Sequence, residues 1–106
     1  MNYGNIVFLK KELDKIKILF KKKEFNLVIE KSKAILKENP NQAIVYNFIG
    51  LSYIHLNEIE KALEIFLLAN QKIPSEPSIL CNIGIAYKNL DDISNGRKNE
   101  KRNGSL

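Results

Sequence analysis

The sequence predicts an all-α fold of about five helices arranged as antiparallel hairpins stacked on one another, and three observations carry this. Ile49-Gly50-Leu51-Ser52-Tyr53 recurs as Ile83-Gly84-Ile85-Ala86-Tyr87, an offset of 34 residues. The same offset takes Asn39-Pro40 onto Ile73-Pro74 and Asn57 onto Asp91, so the match spans helix, turn and helix stop together. Within it, apolar and small residues fall at the spacing of one helix face.

The first helix is expected from about Asn5 to Lys22, with Ile6, Leu9, Leu13, Ile16 and Phe20 on its buried side. Phe25, Leu27, Val28, Ile35 and Leu36 make the second, and Pro40 follows it. Residues 43 to 76 are the clearest unit: Tyr46, Ile49, Gly50 and Tyr53 on one helix, then Ala62, Ile65, Phe66 and Ala69 on the next. Leu56-Asn57-Glu58 is the turn between them, since Asn is one of the few residues besides Gly that accept the left-handed conformation after a helix end. Gly50 inside a helix costs about 1 kcal/mol relative to Ala, so it calls for a packing reason. A close approach to Ala62 is the expected one, with Tyr46, Tyr53 and Phe66 filling the space around it.

A fifth helix is expected over 77–90, and after Leu90 the pattern stops. Where a third unit would place Ala, Phe and Ala, the chain has Gly96, Glu100 and Asn103. Residues 91–106, rich in Asn, Ser, Gly and charge, are expected to form a polar, disordered tail. Ile79, Ile83 and Tyr87 are accordingly expected to lack a covering helix.

At 106 residues the chain is sized for one domain, and its 44% apolar and 27% charged content is that of ordinary globular proteins. Its apolar runs are far shorter than the roughly twenty residues of a membrane span, so no membrane association is expected. Met1 to Leu9 has neither a basic start nor a small-residue cleavage pattern, which argues against a secretory signal and makes a cytoplasmic location the expectation. Cys81 has no second cysteine to pair with, and the single His55 lies far off in sequence. Charge is uneven: residues 1–23 carry +5, residues 24–96 carry −3 and residues 97–106 carry +3.

Tyr46, Ile49, Gly50, Tyr53, Ala62, Phe66, Ala69 and Pro74 fall on the eight signature places of the tetratricopeptide repeat (TPR), which residues 43–76 resemble in full. Residues 77–90 resemble the first helix of a following repeat through Leu80, Ile83, Gly84 and Tyr87. Residues 9–42 are a degenerate copy, with Lys15 and Ile16 where the family has Leu and Gly. The resemblance implies a right-handed α-α superhelix whose first helices line a concave groove, and a protein–protein interaction module as the function. It places Asn47, Phe48, Leu51, His55, Asn82, Ile85 and Asn89 on the groove. Asn side chains both donate and accept, which suits the backbone of an extended peptide, while Phe48, Leu51 and Ile85 offer apolar contact. The alternative is that these seven are ordinary helix-surface residues.

Two subtypes of the family fit poorly. The basic clamp that grips the C-terminal carboxylate of chaperone tails needs Lys and Asn where Leu13 and Phe48 stand, and an asparagine ladder is matched by Asn82 but broken by Phe48. No paired Ser and His, phosphate-cradling Gly loop or metal spacing is found, so no catalytic residue, cofactor or metal is expected. Lys10, Lys11, Lys15, Lys17, Lys21, Lys22 and Lys23 could meet nucleic-acid phosphates, but without Arg or an interleaved aromatic array they read better as a solvated helix face. Two other functions stay open: the N-terminal array of a larger bacterial enzyme, such as a glycosyltransferase or sulfotransferase, and self-association through the uncapped last helix.

Overall fold

The computed structural model describes the backbone of residues 3–105 and the side chains of residues 4 and 6–94. Five helices follow one another: α1 (Tyr3–Lys21), α2 (Phe25–Glu38), α3 (Ala43–His55), α4 (Ile59–Lys72) and α5 (Pro77–Ser105). No strand occurs among the described residues. α3 lies between α1 and α5 in one layer; α2 packs against α1 and α3, and α4 against α3 and α5.

The backbone keeps the 34-residue period even where the sequence loses it. α2 and α4 have the same length and start 34 residues apart, as do the starts of α3 and α5 and the ends of α1 and α3. The turns repeat in atomic detail. Lys23 (φ 63°) and Asn57 (φ 62°) are both left-handed. The Lys23 amide donates to Phe20 O at 3.0 Å and the Glu24 amide to Leu19 O at 3.0 Å. In the next hairpin the Asn57 amide donates to Ile54 O at 2.9 Å and the Glu58 amide to Tyr53 O at 2.8 Å, the same pair of helix-closing bonds. Asn39 and Ile73 close α2 and α4 alike, each donating its amide four residues back at 2.8 Å.

Gly50 does have a packing reason: a Cβ on it would fall within the Phe66 ring. The ring is fully buried, in a cluster with Ile59, Ala62 and Ala86 that ties α4 to α5 as well. One period earlier the volumes are exchanged. Ile16 stands at the place of Gly50 and Ser32 at the place of Phe66, and both are buried. A large residue on one helix and a small one on the other conserve the total volume, so the degenerate first hairpin packs without the family's glycine.

Three expectations are corrected. Tyr53 is only half-buried, with Lys33 donating to its hydroxyl at 3.2 Å and the Lys33 and Lys61 ammonium groups 5.8 and 5.9 Å from its ring centre. Ile6 is exposed, because α1 extends beyond the neighbours that cover Leu9, Leu13 and Phe20. Helix α5 does not stop at Leu90 but continues to Ser105 through the segment expected to be a disordered tail. A turn at Asp91 would need an apolar second helix to compensate it; continuing the helix instead lays Leu90 and Ile93 against the Ile59 cluster. The side chains from 95 onward lie outside the described residues.

Two outcomes are expected. Gly50→Ala should destabilise by about 1–3 kcal/mol through overpacking against Phe66. Gly84→Ala, whose Cβ would meet nothing within 4 Å, should stabilise by up to about 1 kcal/mol through helix propensity; urea unfolding of the two variants compares them directly. Tyr46 donates its hydroxyl to Pro40 O at 2.8 Å, and burial raises its phenol above the ordinary value of 10.0. The unfolded chain therefore loses this proton first as pH rises, so the contribution is present below about pH 10 and is lost above it. Melting curves on either side of that pH should show a larger loss for the wild type than for Tyr46→Phe.

Candidate functional site

The layer of α1, α3 and α5 brings four of the seven candidate residues into two groups. The first is aromatic and surrounds the α1–α2 turn. The left-handed turn at Lys23 folds Phe25 back against Phe20, with ring centres 5.3 Å apart and edge to face. Phe48 meets Phe20 in the same manner at 5.5 Å. His55, on the last turn of α3, stacks parallel on Phe25 at 4.6 Å and sets its edge against Phe20 at 5.6 Å. Phe20, Phe25 and Phe48 are half-buried and His55 is exposed, so an apolar surface with a polar tip faces outward.

The second group is polar and joins α3 to α5. Asn82 donates through Nδ2 to Asn47 Oδ1 at 2.9 Å, and Asn47 donates through Nδ2 to Ser78 Oγ at 2.9 Å. Ser78 in turn donates to Glu76 Oε1 at 3.3 Å. Asn82 is buried and Asn47 half-buried, so this relay holds two neighbouring first helices in register before any ligand arrives. Each amide has further hydrogen-bonding capacity, but part of it is spent within the chain. Asn89 belongs to the same side of α5, where its Nδ2 donates to Ile85 O at 2.8 Å.

Leu51 stands apart from both groups, half-buried against the Phe66 cluster. Ile85 is exposed and apolar on the outer side of α5, level with the relay. A separate depression of about 540 Å³ opens between the start of α4 and the middle of α5, lined by Asn57, Ile59, Lys61, Leu90 and Ile93 among others; none of the seven candidates borders it. Cys81 is exposed on α5 and has no disulfide partner.

Phe20, Phe25 and Ser78 belong to this surface and were not anticipated there. The available signal was Phe20 and Phe25 flanking the three lysines 21–23, since two aromatics on either side of a tight turn must meet if the turn reverses the chain. Their alignment with Phe48 and His55 from a different hairpin needed the tertiary structure.

A double-mutant cycle on Asn47→Ala and Asn82→Ala should return a coupling of about 0.5–1.5 kcal/mol in unfolding free energy, the range of one intramolecular hydrogen bond. Additive effects would show that the two amides do not bond in solution. No family model, curated protein or solved structure matches this chain.

Proposed function

We propose that the chain is a short TPR-type array that acts as a protein–protein interaction module, holding an extended peptide or a segment of a partner protein on the face formed by α1, α3 and α5. Supporting the repeat assignment are the eight signature residues of 43–76, the 34-residue period of helices and turns, and the Phe66 ring seated on Gly50. The observation that carries the binding role is the aromatic group. Phe20, Phe25, Phe48 and His55 come from three helices and present one half-exposed surface, beside an asparagine relay that fixes the spacing of the helices under it. Such a surface can take up an apolar peptide side chain, while the amides keep donors and acceptors for its backbone. The proposal is for binding without catalysis.

Asn82 and Leu51 are engaged in packing, and Phe48 is itself half-buried against the α1–α3 core, so Ile85→Asp and Phe48→Ser, each verified as folded by circular dichroism, are the informative changes at the face, and Leu67→Asp, exposed on α4, is the control. Peptides selected on the folded chain from a random display library should bind Phe48→Ser at least about tenfold more weakly, a loss of about 1.4 kcal/mol, and bind Leu67→Asp unchanged. Equal affinity for all three variants by calorimetry removes the groove from consideration.

A further inference from the structure

The two glycines that share a place in the repeat have opposite surroundings. Gly50 is covered by the Phe66 ring, and a Cβ at Gly84 would meet nothing within 4 Å. The stripe around Gly84 is bare in the same way. Leu80 and Tyr87, which correspond to the covered Tyr46 and the half-buried Tyr53, are 48% and 53% exposed. Ile79, expected to share this exposure, is instead buried against Tyr46 and Ala69, and Ile83 is half-buried, so the open surface is the Leu80, Gly84 and Tyr87 edge. Chain geometry states what fits such an edge: a helix with a small residue, an aromatic four residues later, and an apolar residue just before the aromatic, as in Ala62, Ile65 and Phe66 of α4.

That arrangement occurs once more, on the outer side of α1. Gly4, Val7 and Phe8 reproduce the spacing of Ala62, Ile65 and Phe66, and all three are exposed, Val7 by 51% and Phe8 by 63%. Phe8 is the most exposed of the large apolar side chains described. Extending the register places Lys11 at Ala69 and Lys15 at Ile73. Ile73 packs against the cluster of Tyr46, Ala69 and Ile79, and the counterpart of Tyr46 is Leu80, so Lys15, which pairs with Glu12 at 3.3 Å in its own copy, would come near the start of α5, where Glu76 adds a second carboxylate. Charge at the contact favours the pairing, because residues 76–92 carry −2 against the +5 of residues 1–23, while the +3 of residues 97–106 belongs to the far end of α5. The departures are Asn5, Lys11 and Lys15, which stand where α4 has Leu63, Ala69 and Ile73; the lysine stems can lie along the edge with their ammonium groups in water.

We propose that α1 of a second copy of this chain covers the bare edge of α5, with Phe8 seated on Gly84 as Phe66 is seated on Gly50. The contact joins the first helix of one copy to the last helix of another, so it is head to tail and does not close on itself: assembly continues past the dimer as concentration rises. It uses the edge of the array and leaves the Phe48 and Ile85 face uncovered, so it stands or falls separately from peptide binding.

Sedimentation velocity from low micromolar to near millimolar concentration tests it with three samples: wild type, Phe8→Glu and Gly84→Glu. Both substitutions fall on exposed positions, and far-ultraviolet circular dichroism verifies that each variant is helical; Tyr87→Lys is a second change on the α5 edge should Gly84→Glu lose helicity. The expected result is growth beyond a dimer for the wild type and monomers for each variant alone. An equimolar mixture of the two variants should form a one-to-one complex and stop there, since each retains one intact surface. A wild type that stays monomeric at near-millimolar concentration overturns the proposal and gives the edge to a different partner. Assembly that persists in either variant, or stops at the wild-type dimer, or a mixture that stays monomeric, overturns it as well.

Discussion

The Phe66 ring is seated on the Gly50 backbone, where a Cβ would have no room, and most of the described structure hangs from this contact. A helix that brings an aromatic ring onto another helix's main chain is held nearer than side chains on both would allow, and its rotation is set by the ring. That rotation turns Ile59, Ala62 and Ala69 inward and leaves Leu67 and Leu68 outward. Because the same ring is in the cluster containing Ala86, the position of α4 on α3 also decides where α5 lies. The relay from Asn82 to Asn47 and Ser78 then fixes α5 along α3 by polar contact at the opposite side. Three helices thus share one geometric constraint, and the candidate binding face is the outer surface of that arrangement.

The first hairpin reaches the same backbone by a different route. Its turn is closed by the same two bonds although a lysine, not an asparagine, takes the left-handed place. The strain at Lys23 is of the order of 1 kcal/mol and is offset by burial of Val28, Ile29 and Ile35 against α1 and α3. Its core exchanges the sizes of the two residues that matter in the second hairpin, Ile16 and Ser32 for Gly50 and Phe66. Ser32 comes with a buried hydroxyl that has no hydrogen-bond partner, the cost of filling a small place with a polar residue. A repeat is therefore conserved here as a backbone and as a total volume, more than as a list of residues.

Both functional proposals follow from what this packing leaves uncovered. On the face of α1, α3 and α5, to which α2 adds Phe25 from its first turn, the aromatic group and Asn47 remain partly accessible. At the α5 edge, Leu80, Gly84 and Tyr87 are open among the described residues because α5 runs straight where the two earlier first helices turn. The straight course is itself a consequence of composition: Gly96, Glu100 and Asn103 could not fill the place that Ala62, Phe66 and Ala69 fill on α3.

The sequence by itself determined the helices, their order and the hairpin turns, because these depend on local quantities: apolar spacing along one helix, a residue tolerant of the left-handed region, and prolines after the second helices. It also determined that residues 43–76 form a helical hairpin, through small and apolar residues at helical spacing on either side of the Leu56-Asn57-Glu58 turn. Only the tertiary structure decided what meets what across hairpins. That the Phe66 ring sits on Gly50, that Tyr53 lies between two lysines, that Phe20, Phe25, Phe48 and His55 form one surface, and that Asn82 is engaged by Asn47 all depend on rotations of one helix against another. Such rotations are set by the sum of many side-chain volumes, which no single helix contains. The course of α5 beyond Leu90 depends on such contacts too: Ile93 lies in an otherwise polar stretch, and Ile59, whose cluster it packs against, is a third of the chain away.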